Sequence, residues 1–337
     1  MEKIYVSPSA KKGVGYPSRY FYLLKTHLSK HFEVLEADSK PCLSQGTALL
    51  KNSLRADIFL LSFVESIGFQ KLGFIQFLMA HISIWIMRMR HKKIIFIYHN
   101  IRPHQGENFM SKSIIKTLLK RSILVISHSK GATDFAIKQL HFFGWNADKV
   151  KYVCHPVDAL DIKPVKPDNE ADDAQYDVLI WGDILPYKGV EEFVTDASVL
   201  AAGLKVKIFG LCKYDGVEEK ILASGFSFEN KRASFEEIAW YCAHCNYVLF
   251  PYLRGSISSS GLLIDTVAMG GTPIGPALGA FKDLSDEGVC LIYNSIQEMV
   301  NIISDRENRT VISNEARRDF IEHNSWPNFV DILYRNV

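Results

Sequence analysis

The sequence predicts an α/β protein with two parallel-sheet domains, and three observations carry that prediction. Short, nearly continuous apolar runs alternate with amphipathic stretches along most of the 337 residues, the pattern of strands buried on both faces and joined by helices. That length is long for one domain and comfortable for two. A polar segment with two prolines, Ile162-Lys163-Pro164-Val165-Lys166-Pro167-Asp168-Asn169-Glu170-Ala171-Asp172-Asp173, interrupts the alternation, which then restarts. It reads as an exposed linker.

The first half supplies strands at residues 4–6, 32–35, 57–61, 93–98, 123–126 and 150–153, and an amphipathic helix over 19–30. The second half supplies strands at 178–181, 205–209, 226–228, 247–250 and 289–292. The expected division is 1–160 for the first domain, 161–175 for the linker, 176–313 for the second domain and 314–337 for a C-terminal helical segment. Trp326-Pro327 would kink that segment, because proline removes a helical N–H. Sheets of this kind place ligands at the loops after the carboxyl ends of their strands.

Composition narrows the partners. Apolar residues make up 47% and charged residues 23% of the chain, and the formal net charge is +2, so no polyanion such as nucleic acid is expected. Six scattered cysteines suit a reducing compartment. Cys242-Ala243-His244-Cys245 is a single close pair, without the second pair that structural zinc usually needs. A strand begins almost at Met1 where a secretory signal would stand, so a cytoplasmic location is expected.

The stretch most suggestive of chemistry runs from the strand Tyr247-Val248-Leu249-Phe250 through a Gly/Ser-rich loop into a helical pattern beginning Leu262-Leu263-Ile264-Asp265. Ser258, Ser259, Ser260 and Gly261 therefore stand where a helix starts, with unpaired N–H groups and the positive end of the helix dipole. A phosphate fits there. A serine before a helix is also an ordinary N-cap, but one cap needs one hydroxyl. A second unusual stretch is the apolar helix over 72–89, followed by Arg88, Arg90, His91, Lys92 and Lys93. It reads either as a buried core helix or as a membrane-surface helix with a basic rim spanning 72–93.

Several motifs resemble those of nucleotide-sugar glycosyltransferases with the GT-B fold, near family 4 and related bacterial polysaccharide enzymes. Trp181-Gly182-Asp183-Ile184-Leu185-Pro186-Tyr187-Lys188-Gly189-Val190 is similar to the family's strand–loop–helix motif. The stretch from Phe250 to Gly261, with Ala268-Met269-Gly270-Gly271-Thr272-Pro273-Ile274 and Gly279-Ala280-Phe281-Lys282-Asp283, resembles its donor site. His99-Asn100-Ile101-Arg102-Pro103-His104 resembles a motif of the polysaccharide subgroup, and Ile126-Ser127-His128-Ser129 its next strand.

The resemblance implies two Rossmann-like domains whose sheets face a central cleft, with the C-terminal segment returning to the first domain. It implies a nucleoside diphosphate sugar as donor, a saccharide or lipid-linked saccharide as acceptor, and no metal or further cofactor. Donor binding would fall to Gly13, Gly15, Gly182, Lys188, Arg254, Ser258, Ser259, Ser260, Gly261 and Asp265. His99 would contact sugar, and His104 or Glu107 would act as base; Glu65 is a further carboxylate at a strand end. The chain departs from the family pattern at Asp183 and Leu185, where an arginine is common, at Asp265 in place of glutamate, and at Gln105. The alternatives are a nucleotide-sugar epimerase of the same fold and a non-catalytic binding or scaffold subunit. A dinucleotide oxidoreductase lacks its complete glycine fingerprint.

Overall fold

Two six-stranded parallel sheets organise the chain in the computed structural model, which describes residues 1–8, 19–35, 44–99, 108–158, 162–171, 173–253 and 260–337. One compact unit comprises Met1–Pro156 with Trp326–Val337, the other Val157–Ser325.

The first sheet contains β1 (Lys3–Ser7), β2 (Glu33–Leu35), β3 (Ile58–Ser62), β4 (Lys93–Ile97), β5 (Leu124–Ser127) and β6 (Val150–Tyr152) in the order β2-β1-β3-β4-β5-β6. Its crossovers carry α1 (Arg19–Leu28), α2 (Ser44–Asn52), α3 (Gly73–Met89), α4 (Phe109–Arg121) and α5 (Lys130–Phe142). The strands read as unbroken apolar runs because both faces are covered. Ile58 and Leu60 of β3 pack with α1 on one face, while Phe59 and Leu61 pack with α2, α3 and α4 on the other, as the two-residue period of a strand requires.

The second sheet contains β7 (Tyr176–Trp181), β8 (Val206–Phe209), β9 (Ser227–Glu229), β10 (Cys245–Leu249), β11 (Pro273–Pro276) and β12 (Leu291–Tyr293), ordered β12-β11-β10-β7-β8-β9. Its helices are α6 (Val190–Thr195), α7 (Ala197–Ala201), α8 (Val217–Ala223), α9 (Phe235–Ala243) and α10 (Gly261–Ala268). Three more follow: α11 (Gly279–Asp286), α12 (Ile296–Ser304) and α13 (Asn314–His323). The chain then returns to the first unit as α14 (Trp326–Arg335), which packs on α1.

Two sequence expectations change. β11 was not among the predicted strands, since Pro-Ile-Gly-Pro reads as a turn; yet Ile274 pairs with Leu249 on one side and Leu291 on the other. Its prolines sit at the first and last positions, where loss of a ladder bond is tolerated. Trp326-Pro327 does not kink a continuous helix. The break falls at Asn324 and Ser325, and Pro327 occupies the first turn of α14, where its missing N–H would be unpaired anyway.

The segment read as an exposed linker is anchored at Glu170. That carboxylate takes the Lys207 ammonium at 2.8 Å and the hydroxyls of Tyr241 (2.7 Å) and Tyr176 (2.8 Å). Lys207 is buried and also pairs with Glu229 at 2.7 Å. A buried lysine is tolerable only with its partners in place, so Glu170 fixes this stretch to the second sheet.

Candidate functional site

In the second sheet β7 lies between β8 and β10, so chain connections leave it in opposite directions and open a crevice at the carboxyl ends of β7 and β10. Two loops meet there. After β7 the backbone turns at Gly182 (φ 96°), forms a single 3₁₀ turn over Pro186–Lys188 and turns again at Gly189 (φ 65°). Only glycine adopts these conformations without strain. The loop after β10 packs directly on it, with Leu253 N–H donating to the Tyr187 carbonyl at 3.0 Å.

This double turn folds the Lys188 side chain inward, leaving it only 6% exposed. Its Nζ lies 3.1 Å from where a Cβ on Gly182 would stand, and that Cβ would overlap Leu262 in the first turn of α10. A side chain at 182 would therefore displace both. Burial lowers the pKa of the amine to about 8, against the opposing pull of the Asp183 carboxylate. Among the described residues Lys188 forms no salt bridge, because Asp183 is held by Arg232 through two bonds of 2.9 and 2.7 Å.

The start of α10 is fixed from two sides. Trp181 Nε1 donates to Thr266 Oγ1 at 3.0 Å, tying the helix to the end of β7. The Tyr252 hydroxyl lies 3.5 Å from Ser260 Oγ. Ser260 occupies the N-cap position, yet its hydroxyl makes no capping bond, so the ordinary N-cap explanation does not account for it. A cavity of about 520 Å³ opens at the same sheet edge, lined by Gly189, Tyr252, Leu278, Tyr293 and Asn294 among others. The Lys188 amine is not in its wall.

In the first unit, three histidines follow the carboxyl ends of neighbouring strands: His99 after β4, His128 after β5 and His155 after β6. His128 Nδ1 meets the Val153 carbonyl at 2.8 Å, so that nitrogen carries the proton. Its Nε2 is then the acceptor, and the Tyr20 hydroxyl donates to it at 2.9 Å. His99 stacks on Phe63 with ring centroids 4.5 Å apart and stands 5.2 Å from both Tyr20 and His128. Its Nε2 is buried with no hydrogen-bond partner among the described residues.

Burial, with smaller contributions from His128 and His155, holds the His99 pKa well below the usual histidine range. Burial likewise pushes His128 down to about 4 and His155 to about 3. The cluster is neutral at pH 7, able to share hydrogen bonds and poorly able to take up a proton. Trp326 of α14 closes it, 5.1 Å from Tyr20. Glu65, in the 3₁₀ turn after β3, is 3% exposed with Oε2 unpartnered among the described residues, and burial raises its pKa to about 7.

No family model matches the sequence, and no curated relative matches it significantly. Solved structures do match in fold. The Anabaena HepE structure in complex with UDP and glucose superposes with a TM-score of 0.70 at 14% identity, covering 100% of both chains. Sucrose-phosphate synthase from Thermosynechococcus elongatus gives 0.68 at 16% identity over 99% of this chain and 98% of that one. AviGT4, a glycosyltransferase involved in avilamycin A biosynthesis, gives 0.63 at 14% identity over 100% and 97%. The chain has the GT-B fold.

Of the residues that the GT-B resemblance singles out, the structure brings Gly182, Lys188, Ser260 and Gly261 to one crevice. Asp265 lies further along α10, part-buried. His99 belongs to the cluster of the first unit. Gly13, Gly15, His104, Glu107, Arg254, Ser258 and Ser259 lie outside the described residues. Sequence reasoning missed Arg232, which reaches the Gly182–Lys188 loop from 49 residues beyond Asp183; no local pattern marks it. It also missed His155 and Tyr20. The histidines had a legible signal, since each stands within three residues of a strand's carboxyl end.

Proposed function

We propose that the protein is a glycosyltransferase that moves a sugar from a nucleoside diphosphate donor to a saccharide or lipid-linked saccharide acceptor. We place this activity in bacterial surface polysaccharide assembly on the cytoplasmic side of the membrane. The observation that carries the reading is the buried Lys188 amine at the start of α10, with no salt-bridged carboxylate among the described residues. In the transfer, the bond from the anomeric carbon to the β-phosphate oxygen breaks and its electrons stay on that oxygen. The acceptor hydroxyl forms the new bond to the anomeric carbon and gives up its proton. Charge gathers on the diphosphate, and a preoriented cation and helix-start N–H groups offset it best where water is excluded.

Lys188 and the first amides of α10 take that role in this reading, in place of a metal ion. Arg232, already brought to the same loop by Asp183, adds a second positive group. His99, neutral and with a free Nε2 among the described residues, suits a hydrogen bond to a sugar hydroxyl; the proton from the acceptor falls to His104 or Glu107. The HepE complex, which holds UDP and glucose, supports a nucleoside diphosphate as the leaving group.

The test is incubation with UDP- and GDP-sugars, followed by nuclear magnetic resonance. Slow release of the nucleoside diphosphate with free sugar, accelerated by a saccharide acceptor, is the expected result. Conversion of the donor to an isomeric nucleotide sugar would point to an epimerase. Folded protein that leaves every donor unchanged and binds none would point to a scaffold subunit.

A further inference from the structure

The structure divides the apolar helix α3 into two faces. Phe77, Ala80, Ile84 and Met87 point into the core of the first unit. Phe74, Ile75, Leu78, Ile82, Trp85 and Met89 point outward and are between 44% and 60% exposed. These six fall on one stripe about 100° wide, the width that elsewhere faces a core. The stripe extends about 22 Å along the helix at 1.5 Å per residue. Phe109 of α4 is also exposed, at 69%, its ring 5.5 Å from Phe77. An exposed apolar patch of this kind marks an interaction surface.

The charge around it selects the partner. Residues 66–121 contain ten lysines and arginines and a single acid, Glu107, in a chain whose overall charge is only +2; of the ten, Lys92 and Lys93 are paired with Asp57 and Glu2. Lys71 stands before the helix, Arg88 lies in its last turn, and Arg90 and His91 follow it, all exposed. Among the described residues neither Arg88 nor Arg90 has an acidic partner. Apolar side chains flanked by unpaired cations complement a surface whose interior is hydrocarbon and whose boundary is negative.

We propose that this face docks the protein on an anionic lipid bilayer, with α3 lying in the plane of the headgroups. The inner face of α3 is committed to the core, so the helix does not leave the unit to span, and no helix among the described residues is long and apolar enough to cross. The docking deepens the proposed function, on which it rests for its purpose: a lipid-linked acceptor would present its sugar at this surface. Binding itself is independent of catalysis.

The test is co-sedimentation of the full chain with phosphatidylcholine vesicles, with and without phosphatidylglycerol, at low and high salt. Wild type should pellet with the anionic vesicles at low salt and stay in solution with neutral ones. The double variant Ile82→Asn/Trp85→Gln should lose binding, and Arg88→Gln/Arg90→Gln should weaken partitioning about fivefold per charge. Melting temperatures near wild type would show that these exposed positions leave the fold intact. Failure of the wild type to pellet overturns the proposal. So does a concentration-dependent dimer, abolished in the Ile82/Trp85 variant, that ignores vesicles. A parallel thermal shift with UDP separates the two ideas: vesicle binding without a UDP response upholds the docking and counts against the donor reading.

Discussion

Glu65, His99 and His128 are buried and His155 is half-buried at the carboxyl edge of one sheet, and burial acts on the acid and the imidazoles with opposite sign. For Glu65 it raises the pKa from 4.5 to about 7, so between those values the folded chain holds a proton that the unfolded chain has released. Its contribution to stability is present below pH 4.5 and is lost as the pH rises through about 7. His128 has its pKa lowered from 6.5 to about 4; there stability is lost as the pH falls through that window. Glu65→Gln mimics the protonated acid. Its stability relative to wild type should be near zero difference at pH 4.5 and grow in the variant's favour up to about pH 7, measured by urea unfolding across that range. A difference that does not vary with pH would contradict the burial argument. The sequence shows Glu65 after a strand but not that its carboxyl is sealed, because sealing depends on neighbours distant along the chain. Asp183 and Arg232 make the same point: the pair explains why Lys188 has no salt bridge among the described residues, and nothing local predicts it. Lys188 and Gly182 were legible because the turn that buries the amine is written in one short motif.

At the scale of elements, strands buried on both faces were readable as apolar runs, and β11 was not, because its prolines and glycine imitate a turn. The register between α10 and β7 was also hidden, since the Trp181–Thr266 bond that sets it links residues 85 apart. The return of the chain to the first unit depends on α14. Trp326, Phe329, Val330 and Leu333 are all buried there, packed with α1 and with the same face of the sheet as Ile58 and Leu60. Trp326→Ala should cost about 3–5 kcal/mol, the usual price of emptying so large a buried site. Urea unfolding should show that loss together with exposure of the histidine cluster. A cost under about 1 kcal/mol would mean that α14 is merely resting on the first unit.

For the molecule as a whole, two parallel sheets present different chemistry at their carboxyl edges. One carries neutral imidazoles and a protonatable carboxylate, the other an amine and a helix start suited to phosphate. The nearly neutral net charge conceals a basic stretch over residues 66–121 of the first unit, which is why composition alone excluded polyanions without indicating lipid. In the proposed function Lys188 is kept buried for a diphosphate and not for stability. A buried amine without a carboxylate weakens the fold, so Lys188→Met should melt at the same temperature as wild type or higher. It should also lose the charge-assisted bonds of about 1.5–3 kcal/mol, about tenfold to a hundredfold in affinity. Titration calorimetry of UDP against wild type and Lys188→Met is the direct measurement. Binding weaker by at least about tenfold in an equally stable variant is expected, and equal affinity for UDP in the two proteins would mean that the Lys188 amine does not hold the diphosphate.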